Sequence, residues 1–173
     1  MAIRDHRELK AWQFARELER RVYAFLAKSS ARNDVDFCRQ IRKSSSSAPR
    51  NIAVGFGRFW PAEFAHKLRI AIGELRETQD HLDKAVEEAW LAETPHGELK
   101  HLADRALGAA VRFAEYLDRN GEEWKKHYIS RQRQEGKKRS DKRRAVDTHG
   151  GSQRNTPTPH RQEPSEPEEP SEL

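Results

Sequence analysis

The sequence predicts an all-α protein: an antiparallel up-down four-helix bundle followed by a disordered basic and acidic C-terminal tail. Three observations carry this reading. Phe64, Leu68, Ala71, Leu75, Thr78, Leu82, Ala85 and Ala89 follow one another in alternating steps of four and three, the spacing of a left-handed helical seam. Three further stretches repeat apolar residues every three or four positions, the period of an amphipathic helix. Short breaks rich in Pro, Gly, Ser or Asn separate them, and short connections make neighbouring helices antiparallel.

The first helix is expected from about Arg7 to Lys28, with Leu9, Trp12, Ala15, Leu18, Val22 and Phe25 as its stripe. Trp12, Phe14, Tyr23 and Phe25 read as core aromatics, and Arg16, Arg20 and Arg21 as a solvated face. Ser29 to Asp34 is a polar loop in which Asn33, Asp34 or Asp36 can cap the next helix. The second helix is expected from about Val35 to Val54, with Phe37, Ile41, Ser45, Ala48 and Ile52 inward. Serines 44 to 47 compete with the backbone for hydrogen bonds, so their presence points to close helix approach on the buried side. No histidine or carboxylate is placed to activate one as a nucleophile.

Pro49 should kink or end this helix. Gly55 and Gly57 then supply the freedom to leave it. Phe59 and Trp60 either staple the turn to the bundle end or stack on an unpaired base. Packing is the commoner role. Pro61 suits the first turn of the third helix, from about Ala62 to Leu91. Ile70, Ile72 and Val86 widen its seam. Gly73 should cost about 1 kcal/mol there relative to Ala, and close approach of another backbone is the expected reason. After Glu93-Thr94-Pro95, the fourth helix runs from about His96 to Arg119 on Leu99, Leu102, Ala106, Ala110, Phe113 and Leu117, until Asn120-Gly121 stops it. Trp124 and Tyr128 then extend along the bundle or pack against another copy.

The domain division expected is a bundle over 1–128 and a low-complexity tail over 129–173. Arg131 to Arg144 holds eight Lys/Arg against Glu135 and Asp141, and the chain ends acidic through Glu163, Glu166, Glu168, Glu169 and Glu172. Such composition buries too little apolar surface to fold. The basic run would strengthen polyanion binding, and the acidic end would compete for it in cis.

The chain has 173 residues and a net charge of +5. Residues 1–76 hold 16 Lys/Arg and 8 Asp/Glu, whereas 77–128 hold 7 and 12. A divided field of this kind favours a polyanion on one surface or head-to-tail contacts between subunits. The single cysteine, Cys38, suggests no disulfide and reads as a small buried hydrophobe. No run approaches a membrane span and no apolar signal core is visible, so a cytoplasmic location is expected.

Several motifs tempt and fail. Glu63/His66 and Glu98/His101 have the spacing of a di-iron bundle, but they fall off the apolar seams and at opposite bundle ends. Gly55-x-Gly57 lacks a third glycine and a preceding strand. No cofactor, metal or enzymatic activity is expected. The strongest positive signal is Arg39, Arg42, Lys43, Arg50 and Arg58, the densest basic set in the folded part. Spaced positive charge binds phosphates, and Arg adds bidentate contacts. A solvated helix face is the alternative.

Ser47-x-Pro49-x-Asn51-Ile52-Ala53-x-Gly55-x-Gly57-Arg58 resembles the signature of the four-helix bundle proteins encoded by intervening sequences in bacterial 23S ribosomal RNA genes. Leu9, Trp12, Ala15, Leu18, Tyr23, Gln40, Phe64, Ala71, Gly73 and Glu77 fit the same pattern, which covers roughly residues 5 to 118. That family is similar to the accessory variability determinant of diversity-generating retroelements. Two positions depart from it: Val54 stands where the family usually has Glu, and Glu74 where it usually has Ser. The resemblance implies a ring-like homo-oligomer, a pentamer. It favours nucleic-acid binding, RNA rather than DNA. The alternative is a protein-interaction adaptor that docks a reverse transcriptase.

Overall fold

The computed structural model describes residues 3–58 and 60–150. Two units are distinguished, 1–132 and 133–173. The first contains α1 (Lys10–Lys28), α2 (Val35–Phe56), α3 (Pro61–Glu87) and the greater part of α4 (Glu93–Gly150). Single 3₁₀ turns at His6–Glu8 and Ser30–Asn33 precede α1 and α2. In the second unit the backbone is helical from 133 to 150.

Caps fix the helix starts. Asp34 accepts the Phe37 N–H at 2.9 Å and so begins α2. Pro61 stands in the first turn of α3, as expected. Residue pairs fix the directions: His6 meets Phe56 while Tyr23 meets Arg42; Gly55 faces Phe64 while Ser44 faces Thr78; Phe64 meets Phe113 while Asp83 meets Lys100. In each case one number rises as the other falls, so consecutive helices run antiparallel.

The core has three zones. At one end Phe56, Phe64, Phe113 and Trp124 form a cluster of edge-to-face and tilted rings, with centroids 5.2 to 6.2 Å apart. At the other end Phe37 packs on Trp90 at 4.9 Å and on His81 at 5.9 Å. Between them lie aliphatic and small side chains and one buried polar layer. There Thr78 Oγ1 donates to the Glu74 carbonyl at 2.8 Å and lies 3.0 Å from Ser44 Oγ. Ser45 Oγ donates to the Ile41 carbonyl at 2.6 Å. Ser44 and Ser45 thus sit on the buried side with their hydroxyls satisfied, whereas Ser46 and Ser47 are only half-buried.

Several expectations need correction. α2 passes through Pro49 without ending, because Ala48 and Ile52 on either side are fully buried and packing holds the helix. Gly57 has φ −74° and ψ −12°, a conformation open to any residue. Gly55 is buried inside the helix and serves close approach: a methyl there would overlap the Phe64 ring and lie 2.9 Å from Lys67 Cβ. Gly73, where close approach was expected, faces open space.

α3 ends at Glu87, four residues before the expected Leu91. Ala89 takes φ +54° and is exposed rather than part of the seam. Its N–H donates to the Val86 carbonyl and the Trp90 N–H to the Ala85 carbonyl, at 2.9 and 2.8 Å. This is a Schellman stop, with alanine in the left-handed position that glycine usually takes.

α4 begins at Glu93, before Pro95. Asn120 leaves helical geometry, at φ −125° and ψ 27°, yet the chain resumes as helix beyond it. That return carries Trp124 back onto the aromatic cluster, so Trp124 packs within its own chain. Gly121 lies against Pro61, 3.1 Å from where its Cβ would be. Helix also extends into the expected irregular tail over 129 to 141, where Lys, Arg, Gln and Glu favour local helix without a core. The acidic end of the tail and Phe59 lie outside the described residues. Among the described residues no helix is long and apolar enough to cross a membrane.

Candidate nucleic-acid interface

Arg39, Arg42, Lys43, Ser46 and Arg50 advance by steps of three, one, three and four, which places them on one face of α2. The opposite face carries Phe37, Ile41, Ala48 and Ile52 into the core. All four cations are exposed. The stripe forms one wall of a groove of about 450 Å³, completed by Tyr23 of α1, by Arg32 of the 3₁₀ turn and by Val35 at the start of α2. The Arg42 guanidinium lies 5.8 Å from the Tyr23 ring centroid, within cation–π range. Cys38 lines the groove but is buried, its thiol donating to the Ala31 carbonyl at 3.2 Å. Ser46 Oγ donates to the Lys43 carbonyl and lies 3.4 Å from an Arg50 nitrogen.

The charge here is less compensated than at two other clusters of the bundle. On α1, Glu17 binds both Arg20 and Arg21, at 2.7 and 2.8 Å, and these hydrogen bonds hold its carboxyl at about 2. Between α3 and α4, Lys100 and His96 bind Asp83 at 2.7 and 2.6 Å. Burial pushes the Asp83 carboxyl up, and those two hydrogen bonds more than offset it, leaving it below the ordinary value. In the groove only Arg39 has an acidic neighbour, Asp36 at 3.0 Å. Among the described residues, Arg32, Arg42 and Lys43 have no carboxylate within 4.0 Å.

Of the expected site residues, Arg39, Arg42 and Lys43 come together in the groove. Arg50 continues the stripe about 10 Å further along the helix by its rise per residue. Arg58 does not join them: it lies beyond the end of α2 and faces Glu63 at 3.8 Å. The sequence reading missed Arg32 and misplaced Tyr23, which is 44% exposed rather than core. Tyr23 follows the buried Val22 and stands off the inward stripe of Ala11, Ala15, Leu18, Val22 and Leu26, which was the available signal. Trp60 is exposed, with Lys125 Nζ 4.1 Å from its ring centroid, so it is covered by a cation rather than stapled into the core. Glu63, His66, Glu98 and His101 are all exposed. Among the described residues no group of three potential metal ligands occurs.

Comparison with protein families places residues 7–109 on the model described as 23S rRNA-intervening sequence protein. The chain belongs to that family. The match takes in all of α1, α2 and α3 and the first part of α4, and so contains every residue of the groove. It stops short of Phe113, Leu117 and Trp124, which complete the core of this family member. Comparison with curated proteins finds no match.

Proposed function

We propose that this protein is a non-enzymatic nucleic-acid-binding bundle that holds RNA, rather than DNA, in the groove between α1 and α2. The observation that carries the reading is the convergence of Arg32, Arg39, Arg42 and Lys43, three of them lacking a carboxylate partner among the described residues, around the exposed ring of Tyr23. Guanidinium groups grip phosphates bidentately, and an exposed aromatic beside them is a platform for an unpaired base. Strand readout through the 2′-hydroxyl distinguishes RNA from DNA in such sites. The bundle acts as a cytoplasmic homo-oligomer, a reading supported by the charge difference between its halves.

The test is fluorescence anisotropy of labelled single-stranded RNA against the full chain and against Arg42→Glu combined with Arg50→Glu. Three or four phosphate contacts predict a slope of about −2 to −3 in log affinity against log salt. The double variant should keep its helical circular dichroism and bind at least tenfold more weakly, at roughly 1.4 kcal/mol per tenfold change. Absence of binding at low salt, or loss of fold in the variant, would overturn the proposal.

A further inference from the structure

The face of α1 opposite Tyr23 borders another cavity. Arg21, Phe25 and Lys28 advance by four and three, which sets them on one face of the helix. With the α3–α4 connection and the start of α4 they line a space of about 360 Å³. That lies at the small end of the range of ligand pockets and suits a single ring with a short chain. The walls are aromatic and apolar. Phe25 and Trp90 are half-buried, and Leu91 and Leu99 are buried.

The walls are held in place by bonds of the fold itself. Ser29 Oγ donates to the Trp90 carbonyl at 2.9 Å and accepts the Ala31 N–H at 3.1 Å, which ties the end of α1 to the α3–α4 connection. The Trp90 and Leu91 N–H groups both donate to the Ala85 carbonyl, at 2.8 and 3.0 Å, and so fix the turn that carries them. The Trp90 ring is backed by Phe37 at 4.9 Å. A wall already ordered costs little to order on binding.

Charge decides what such a cavity takes. Glu98 faces Arg21 at 3.4 Å, and Arg21 also binds Glu17, so these charges offset one another. Lys28 is exposed and, among the described residues, has no carboxylate within 4.0 Å. The cavity therefore joins two aromatic walls to one uncompensated cation. A bare phosphate would use the cation and leave the rings unmatched, and a neutral ring would do the reverse. A ring carrying a carboxylate uses both, through ring-on-ring contact and a charge-assisted hydrogen bond.

We infer that this cavity binds a small aryl carboxylate, its ring against Phe25 and Trp90 and its carboxylate on Lys28. The site shares no residue with the α1/α2 groove and does not rest on the function proposed above.

Isothermal titration calorimetry of the full chain with 4-phenylbutyrate, and with 4-phenylbutylamine beside it, tests the inference. Fluorine NMR of protein labelled with 5-fluorotryptophan locates the site. The carboxylate should bind once per chain with a Kd below about 1 mM, within reach of a ligand of about twelve non-hydrogen atoms, and the amine at least tenfold more weakly. Of the four tryptophan resonances, the one missing in Trp90→Phe should shift most. Lys28→Gln should weaken the carboxylate at least fivefold. Glu98→Gln, which releases Arg21, should tighten it about threefold. Lys28 and Glu98 are exposed, so both variants should keep the parent Tm. Ala92→Trp, at an exposed position on the wall, should fill the space and abolish binding. No saturable binding at 10 mM carboxylate, equal affinity for the amine, or an affinity that Lys28→Gln and Ala92→Trp both leave unchanged overturns the inference. So does saturable binding that leaves the Trp90 resonance where it was, because the ligand then sits elsewhere.

Discussion

Two glycines in adjacent helices should answer the same substitution with opposite signs. A methyl at Gly55 would overlap the ring of Phe64 and crowd Lys67 Cβ at 2.9 Å. Phe64 cannot retreat, because it is fully buried and held by Phe56, Phe113 and Trp124. Overpacking of that kind costs about 3 kcal/mol at the upper end of its usual range. Alanine returns about 1 kcal/mol in helix propensity, so Gly55→Ala should lose roughly 2 kcal/mol net. Gly73 has nothing within 4 Å of its would-be Cβ, so Gly73→Ala should gain about 1 kcal/mol. Thermal and urea unfolding of the two variants beside the parent would measure both. At about 4 °C per kcal/mol for a domain of this size, Tm should fall by about 8 °C and rise by about 4 °C respectively. A Gly55→Ala protein as stable as its parent would refute the close-approach argument.

Other outcomes follow from the same geometry. Ala89→Gly should stabilise by about 1 kcal/mol, since alanine at φ +54° bears the left-handed strain that glycine lacks; the urea midpoint reads it, with an unchanged m-value. Trp124→Ala should cost about 3 kcal/mol by unstacking the aromatic end, and should lower cooperativity in near-ultraviolet circular dichroism. Glu17 and Asp83 have folded pKa values below their ordinary ones. Their contribution is therefore complete above the unfolded values and is lost as pH falls, for Glu17 between 4.5 and about 2. Glu17→Gln should flatten the acid limb of the stability curve, more visibly at low salt because the group is at the surface.

Periodicity carried the helices well. Seven of the eight α3 seam residues, Phe64 through Ala85, are buried, and only Ala89 departs. What periodicity cannot express is which neighbour a position meets. Gly55 and Gly73 look alike in sequence, yet one faces a phenyl ring and the other open space. The end of α3 was misjudged because an alanine, not a glycine, takes the left-handed turn. Asn120-Gly121 read as a stop because both residues break helices, but packing of Trp124 and Pro61 carries the chain on. The candidate site shows the same division. Cations on one helix follow from spacing, so Arg39, Arg42, Lys43 and Arg50 were legible. Tyr23 and Arg32 belong to other elements and join the groove only through the pairing of α1 with α2.

The Ser44–Thr78 contact bears on a problem inherent in repetitive seams. A heptad pattern is nearly indifferent to sliding by one repeat, because leucine meets leucine again after each step. Two such helices therefore have several packings close in energy. In the observed alignment the buried Ser44 and Thr78 hydroxyls meet at 3.0 Å across the two helices, each also reaching a carbonyl of its own helix. Slipping α2 past α3 by a repeat would separate Ser44 from Thr78 and lose that one contact between the helices. The pair need add little to stability to serve as an index mark, favouring the one phase of α2 against α3 in which the groove residues of α2 face as they do.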